Sequence, residues 1–337
     1  MGLKGLNVWL QDDFPSSFVP ASALRPQGFD HVLLDCNSLI HDSVRTSACG
    51  PGSPGFNAAV LVNLLASLNS LLALRCVARN IMCFAIFFDG PAPLAKLPLQ
   101  RSRRASMVAQ RGKNADGRKL HVTPGTPLMN YLGDGVRRWA SDRLLEDRFS
   151  SASARIMVSD ASVPGEAEAK AQAFLLSLKT IKGGVDALVV SDDGDTKVMA
   201  VALLRAAPSV RVCVTGSARP DQSSLVFSAA GLLSALPGGR KSAWDFVVIT
   251  MLGGCDYLPP LRGPPPQRIW QRYCRMQEGW RLKPGAPTAR GLRWVKCACA
   301  SPSPRLIDVA HGGLNISALA ALLDPRGTLL RGGPEGE

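Results

Sequence analysis

Residues 31–37 read His31-Val32-Leu33-Leu34-Asp35-Cys36-Asn37, an apolar run that stops on a carboxylate. A short run without polar alternation reads as a strand covered on both faces, the usual state of a strand in a parallel sheet. The pattern returns at Ile81-Met82-Cys83-Phe84-Ala85-Ile86-Phe87-Phe88-Asp89 and at Ala187-Leu188-Val189-Val190-Ser191-Asp192-Asp193-Gly194-Asp195, and further strands are expected at Arg155–Ser159 and Val210–Val214. Helical stretches separate them. One is long and apolar (Ala58 to Ala78), one follows Thr123-Pro124-Gly125, one is opened by Pro164-Gly165, and one starts near Asp195. Strand and helix in alternation predict an α/β fold, a Rossmann-like parallel sheet flanked by helices. In such sheets the functional crevice lies outside the carboxyl ends of the strands, so acids far apart in sequence can converge there. The acids so placed are Asp35, Asp89, Glu166, Glu168, Asp193, Asp195 and Asp256.

That set suggests a nuclease metal site. Two Mg²⁺ ions can activate a phosphodiester, and holding them takes several carboxylates. Asp193-Gly194-Asp195 places two acids at a helix start. Glu166 and Glu168 stand at i and i+2, which do not face the same way in an ideal helix, so sharing a site requires Pro164-Gly165 to loosen the first turn. The competing role for any one of these acids is a helix cap or first-turn residue. Asp160, Asp186 and Asp192 read as caps and turn residues.

With 39 Lys and Arg against 26 Asp and Glu, the chain of 337 residues carries a net charge of +13, pointing to a polyanionic partner. Between Lys96 and Lys119 the only acid is Asp116, and between Arg262 and Arg305 the only acid is Glu278. The nine cysteines include no CxxC pair, and Cys36, Cys83 and Cys213 lie in apolar runs as small hydrophobes, which suits a reducing compartment. No partner pair at zinc spacing follows Cys297 and Cys299. Asp12 and Asp13 interrupt the first apolar stretch before a signal peptide could form, and Asn63, Asn69 and Arg75 break up the Ala58 to Ala78 stretch, so an intracellular protein with no membrane span is expected.

The basic stretch opens with Asp89-Gly90-Pro91-Ala92-Pro93-Leu94-Ala95-Lys96 and continues through Gln100-Arg101-Ser102-Arg103-Arg104. Positions 96, 100, 103 and 104 share one helix face, where charge-assisted donors could surround a phosphate. The stretch resembles the XRN-type 5′-to-3′ exoribonucleases, in which a DGxAPxAK turn leads into a QRSRR helix. Leu34-Asp35-Cys36-Asn37-Ser38-Leu39-Ile40-His41 is similar to the family's LDxNxxIH, and TPGTPLM (123–129) to its TPGTxFM. SDASVPGEAEAK (159–170) is similar to SDxxVPGEGEHK, and GGCDYLPPL (253–261) to GNDFLPxL. The resemblance implies a PIN/FEN-like nuclease fold whose metal-binding acids are the seven above. It implies two Mg²⁺ ions as cofactor, with Mn²⁺ as a substitute. The 5′-monophosphate of single-stranded RNA would be gripped by Lys96, Gln100, Arg103 and Arg104, with His41 stacked on the first nucleotide.

The chain departs from the family pattern in places. The family begins MGVPKFxRW where this chain has Met1-Gly2-Leu3-Lys4-Gly5-Leu6-Asn7-Val8-Trp9; Gly-Glu-His-Lys has become Ala167-Glu168-Ala169-Lys170; and Ala105 stands where the family has an aromatic. Family members also continue far beyond the GNDFLP motif, into a region that supplies an aromatic partner for the histidine, which leaves room for a protein partner here. Trp270, Tyr273, Trp280 and Trp294, interleaved with arginines, read either as a stacking platform for single-stranded RNA or as fillers of a small core.

The expected organisation is a nuclease domain over residues 1–260 and a basic Pro/Gly/Arg-rich extension over 261–337. The expected function is 5′-to-3′ hydrolysis of 5′-monophosphorylated single-stranded RNA to mononucleotides, in RNA decay or processing in nucleus or cytoplasm. Two alternatives compete with it. A flap-endonuclease-like enzyme acting on branched DNA shares the acid pattern, but no helix-hairpin-helix signature follows Asp256. A non-catalytic RNA-binding relative has no need to crowd carboxylates beside a polyanion.

Overall fold

The apolar runs that end on carboxylates form the middle of a seven-stranded sheet. The strands are β1 (Phe18–Pro20), β2 (His31–Asp35), β3 (Cys83–Phe87), β4 (Arg155–Ser159), β5 (Val185–Val190), β6 (Val210–Thr215) and β7 (Leu225–Ser228). The structure, a computed structural model, describes residues 3, 5–25, 27–74, 77–92, 96–97, 100–102, 105–106, 121–146, 149, 151, 154–181, 183–216, 225–254, 265–281, 307–308 and 313–314, without the side chains of 240–241, 277–281, 307–308 and 313–314. The spatial order is β1-β7-β6-β5-β2-β3-β4. Strands β6, β5, β2, β3 and β4 run parallel, with Asp35 opposite Phe87, and Leu34 opposite Val190. The expectation of a parallel sheet therefore holds for its centre and needs correction at one edge. There β7 pairs antiparallel with β6, and β1 antiparallel with β7. Neither of these two strands carries a long apolar run; Phe18–Pro20, the edge strand, is three residues long and ends on a proline, which an edge tolerates.

Residues Asp13–Leu232 form one compact unit that holds this sheet. Its helices include α1 (Asn37–Arg45), α2 (Phe56–Leu72), α3 (Pro127–Arg143), α4 (Ala167–Ser177) and α5 (Gly194–Ala206). One core gathers Leu34, Phe84 and Ile86 from the sheet with Val60, Leu64 and Leu68 of α2 and Leu132, Val136 and Trp139 of α3. The asparagines that interrupt the apolar stretch are used inside this unit. Asn69 accepts the indole N–H of Trp139 at 3.0 Å, and Asn63 donates to the Ser43 carbonyl at 3.3 Å. Among the described residues no helix is long and apolar enough to cross a membrane. Cys36, Cys83 and Cys213 are buried free thiols, as their apolar settings required.

Met1–Asp12 with Leu233–Glu337 form the second unit. Here Trp9 packs on Phe246, which meets Trp270 edge-on at 5.3 Å, and Trp270 stacks on Tyr273 at 5.1 Å. The Tyr273 hydroxyl donates to the buried carboxylate of Asp245 at 2.6 Å, and burial raises the proton affinity of the phenol. Trp270 and Tyr273 are 3% and 2% exposed, so these two are core residues and not an RNA-stacking platform. The side chain of Trp280, and Trp294, lie outside the described residues, as does position 260, the expected domain boundary.

Candidate active site

Strand β2 delivers Asp35, 8% exposed, to the carboxyl edge of the sheet. Its Oδ1 accepts the backbone N–H of Asn37 at 3.1 Å and the side-chain amide of Asn37 at 2.8 Å, and its Oδ2 accepts the Ser191 hydroxyl at 3.0 Å. The N–H of Asn37 is one of the unpaired donors at the start of α1, so Asp35 acts as a cap while facing the site. Asn37 spans the neighbouring strand ends: its Oδ1 accepts the N–H of Asp89, just past β3, at 3.0 Å.

Asp89 in turn caps α4, accepting the N–H of Ala167 at 2.9 Å. The chain reaches α4 through a close crossing of two loops. Gly90 donates to the Gly165 carbonyl at 2.9 Å and Gly165 donates to the Pro91 carbonyl at 3.0 Å. A Cβ on Gly90 would fall 1.8 Å from the carbonyl oxygen of Val163, so only glycine fits. Gly165 takes φ +104°, and Glu166 follows as the N-cap residue with extended backbone (φ −80°, ψ 153°), while Glu168 lies in the first turn. The i, i+2 difficulty disappears because Glu166 stands outside the helix. Lys170, one turn further, donates to the carbonyls of Phe88 at 2.9 Å and Asp160 at 3.2 Å, fastening α4 to the ends of β3 and β4.

The end of β5 supplies the third acidic loop. Ser191 accepts the N–H of Asp193 at 3.2 Å and the hydroxyl of Thr196 at 3.1 Å, linking this loop to Asp35. Asp193 is the N-cap of α5 and accepts the N–H of Asp195 at 3.1 Å. Three helices thus begin at one sheet edge, and acids of the edge satisfy the donors of each. The capping role and the site role belong to the same side chains. Of the neighbouring acids, Asp160 holds a turn by accepting from the N–H and hydroxyl of Ser162. Asp186 is not a turn residue: it lies within β5 and pairs with Arg25 and, through two contacts, Arg211.

The carboxylates repel one another in a poorly hydrated setting. Burial, with a contribution from Asp89, raises Asp35 to about 6 despite its hydrogen bonds. Burial and the nearby Glu166 raise Asp89. Burial, then the charges of Glu166, Asp35 and Asp89, push Glu168 up to about 9. One cation already answers this field. Lys96, 9% exposed in its side chain, forms an ion pair with Glu166, 4% exposed, and its charge reaches Asp89. Leu97, Gln100, Arg101, Ser102, Ala105 and Ser106 have helical backbone. Among the described residues no three His, Cys, Asp or Glu side chains stand close enough to form a coordination group. The donor set nonetheless suits a hard divalent cation: it is all oxygen, and it carries charge in excess of what Lys96 offsets.

The family model described as XRN 5′-3′ exonuclease N-terminus matches residues 1–213. The chain belongs to this family. A 5′-3′ exoribonuclease 2 homolog of Caenorhabditis elegans is 31% identical over 215 residues, 50% of this chain and 21% of that protein. Its counterpart in Caenorhabditis briggsae is 28% identical over 222 residues, 52% of this chain and 22% of that protein. The 5′-3′ exoribonuclease 2 of Debaryomyces hansenii is 27% identical over 220 residues, 53% and 21% of the two chains. The match therefore spans about a fifth of these relatives. Among solved structures, the catalytic core of Rad2 in complex with DNA substrate aligns over 96% of this chain and 85% of that chain, with 14% identity and a TM-score of 0.44.

The XRN match contains Asp35, Asp89, Glu166, Glu168, Asp193 and Asp195, all placed at the same sheet edge. Asp256, Arg103 and Arg104 lie outside the described residues. His41 is exposed on α1, one turn from Asn37 and on the same face. Sequence reasoning assigned nothing to Asn37, Ser191, Lys170 or Gly90. Asn37 and Lys170 stand inside the quoted XRN motifs, two residues after Asp35 and after Glu168, and that proximity was the available signal. Lys197 carried no signal: it is buried at 9% exposure on α5, where desolvation lowers its proton affinity against the pull of Asp192 and Asp193.

Proposed function

We propose that this chain is the nuclease part of a 5′-to-3′ exoribonuclease that takes single-stranded RNA bearing a 5′-monophosphate and releases mononucleotides. The observation that carries the reading is the gathering of Asp35, Asp89, Glu166 and Glu168 under mutual repulsion beside Lys96, in a member of the XRN family. Lys96 and Gln100, with Arg103 and Arg104, bind the terminal phosphate. His41 stacks on the first base, which sets the scissile bond against the acids.

The acids, Asp193, Asp195 and Asp256 among them, hold Mg²⁺ or Mn²⁺, which when bound supplies Lewis-acid activation of the phosphodiester. Asn37 and Ser191 orient Asp35, and Asn37 with the N–H of Ala167 orients Asp89. A cap or triphosphate is bulkier than a monophosphate and is refused by the phosphate pocket, which fixes the polarity of digestion.

The test is degradation of 3′-labelled single-stranded RNA with a 5′-monophosphate, a 5′-hydroxyl or a 5′-triphosphate, in Mg²⁺ and in EDTA. Wild type should digest the monophosphate form alone, and only with Mg²⁺. Asp89→Asn should abolish turnover, and Arg103→Ala with Arg104→Ala should erase the preference among 5′ ends. Binding without turnover in every metal condition overturns the reading.

A further inference from the structure

The ion pair between Lys96 and Glu166 joins two groups that the proposed function assigns to different ligands. Glu166 is a cation ligand in that reading and Lys96 a phosphate ligand, yet each is here the other's partner. Both side chains are nearly out of solvent, at 9% and 4% exposure, where a charge pair is weakly screened and separating it leaves a costly lone charge. An ammonium is a compact point charge on a flexible stem; it cannot serve Glu166 and a phosphate fully at once.

We propose that Lys96 acts as a resident stand-in for the cation, so that a divalent metal and a 5′-monophosphate bind with positive cooperativity. This rests on the nuclease reading above and names how that site is regulated. Cation binding at Glu166 releases Lys96, whose side chain then turns to the phosphate. Phosphate binding draws Lys96 away and returns Glu166 to the cation. Linkage requires the two effects to be equal. Either ligand on its own must open the Lys96–Glu166 pair and so binds more weakly; the second ligand meets a pair already open.

The experiment is calorimetric titration of the full chain with adenosine 5′-monophosphate, which has no internucleotide bond to cleave, in Mn²⁺ and in EDTA. The proteins are wild type, Glu166→Gln, Lys96→Met and the double variant, with thermal denaturation to establish that each is folded. Mn²⁺ is titrated separately into wild type and Lys96→Met. Wild type should bind the nucleotide about tenfold more tightly in Mn²⁺ than in EDTA, within the usual range of site coupling. Glu166→Gln should reach in EDTA the affinity that wild type shows in Mn²⁺, and that gain should vanish in the Lys96→Met background. Lys96→Met should bind Mn²⁺ more tightly than wild type.

A gain from Glu166→Gln that persists without Lys96 would be a bare charge effect and would overturn the coupling. So would equal nucleotide affinity with and without Mn²⁺ in a wild type that binds the metal. A wild type that binds no Mn²⁺ overturns the nuclease reading, and the coupling with it.

Discussion

The side-chain oxygen of Asn37 accepts the backbone N–H of Asp89 at 3.0 Å while its amide donates to Asp35 at 2.8 Å, so one neutral residue sets the spacing of two carboxylates from adjacent strands. Burial raises both acids, and the charge of Asp89 adds to the rise at Asp35, so the bridge holds two poorly solvated carboxyl groups in place. The fold alone brings them to one edge; Asn37 fixes them there.

Asn37→Ala should therefore reduce RNA turnover by roughly 10 to 100-fold, the usual cost of losing an outer-shell partner, with a smaller loss of stability. Asn37→Asp keeps the shape but replaces the donor to Asp35 by another negative charge. It should be the more damaging substitution of the two in initial-rate measurements. Equal rates for Asn37→Asp and wild type would show that the bridge has no part in the chemistry.

Acidification should stabilise the metal-free protein. Folded Asp35 titrates at about 6 and Glu168 at about 9, both above their ordinary values. For such groups the folded state binds more protons, so stability falls as pH rises. The loss runs from about pH 4 to 6 for Asp35 and on to about 9 for Glu168. Melting temperatures in EDTA should rise steadily from pH 9 towards 5. A cation offsets the same repulsion, and with saturating Mg²⁺ the slope should flatten.

Trp270 separates a core role from a stacking role. It is 3% exposed against Phe246 and Tyr273, so Trp270→Ala should cost about 3–5 kcal/mol in denaturant unfolding. Trp270→Phe keeps most of the packing; it should unfold at a denaturant concentration nearer the wild type and bind single-stranded RNA with unchanged affinity. A loss of RNA affinity in a stable Trp270→Phe protein would restore the stacking role.

The parallel centre of the sheet was legible because Val32-Leu33-Leu34, Phe84-Ala85-Ile86 and Leu188-Val189-Val190 are runs with no polar alternation. Strands β1 and β7 were not, since strands of three and four residues leave too short a pattern to read. The acids were found by where they stop those runs. Asn37 and Ser191, which orient the acids, and Lys170, which fastens α4, were missed because a neutral amide, a hydroxyl and a lysine bonded to carbonyls have no chemical signature of their own; only their place in the quoted motifs marked Asn37 and Lys170. Asp186 was read as a cap or turn residue beside the run expected to begin at Ala187, yet β5 begins at Val185 and the pairing with Arg25 and Arg211 comes from elements remote in sequence.

Gly90 makes the sharpest prediction. The loop after Asp89 passes so close to the loop before α4 that a single added carbon would sit 1.8 Å from the Val163 carbonyl oxygen, and the obstacle is backbone, which cannot swing aside as a side chain could. Gly90→Ala must therefore separate the two loops, breaking the hydrogen bonds of Gly90 with Gly165 and of Gly165 with Pro91. Overpacking of this kind costs about 1–3 kcal/mol, and two lost backbone hydrogen bonds add about 1 kcal/mol each. The displacement falls between Asp89 and Glu166, so turnover should drop by more than the folded fraction does. Activity per folded molecule, with the fraction folded taken from circular dichroism at the assay temperature, checks this. A Gly90→Ala protein that is fully folded and fully active would mean that the loop crossing can shift without moving either carboxylate.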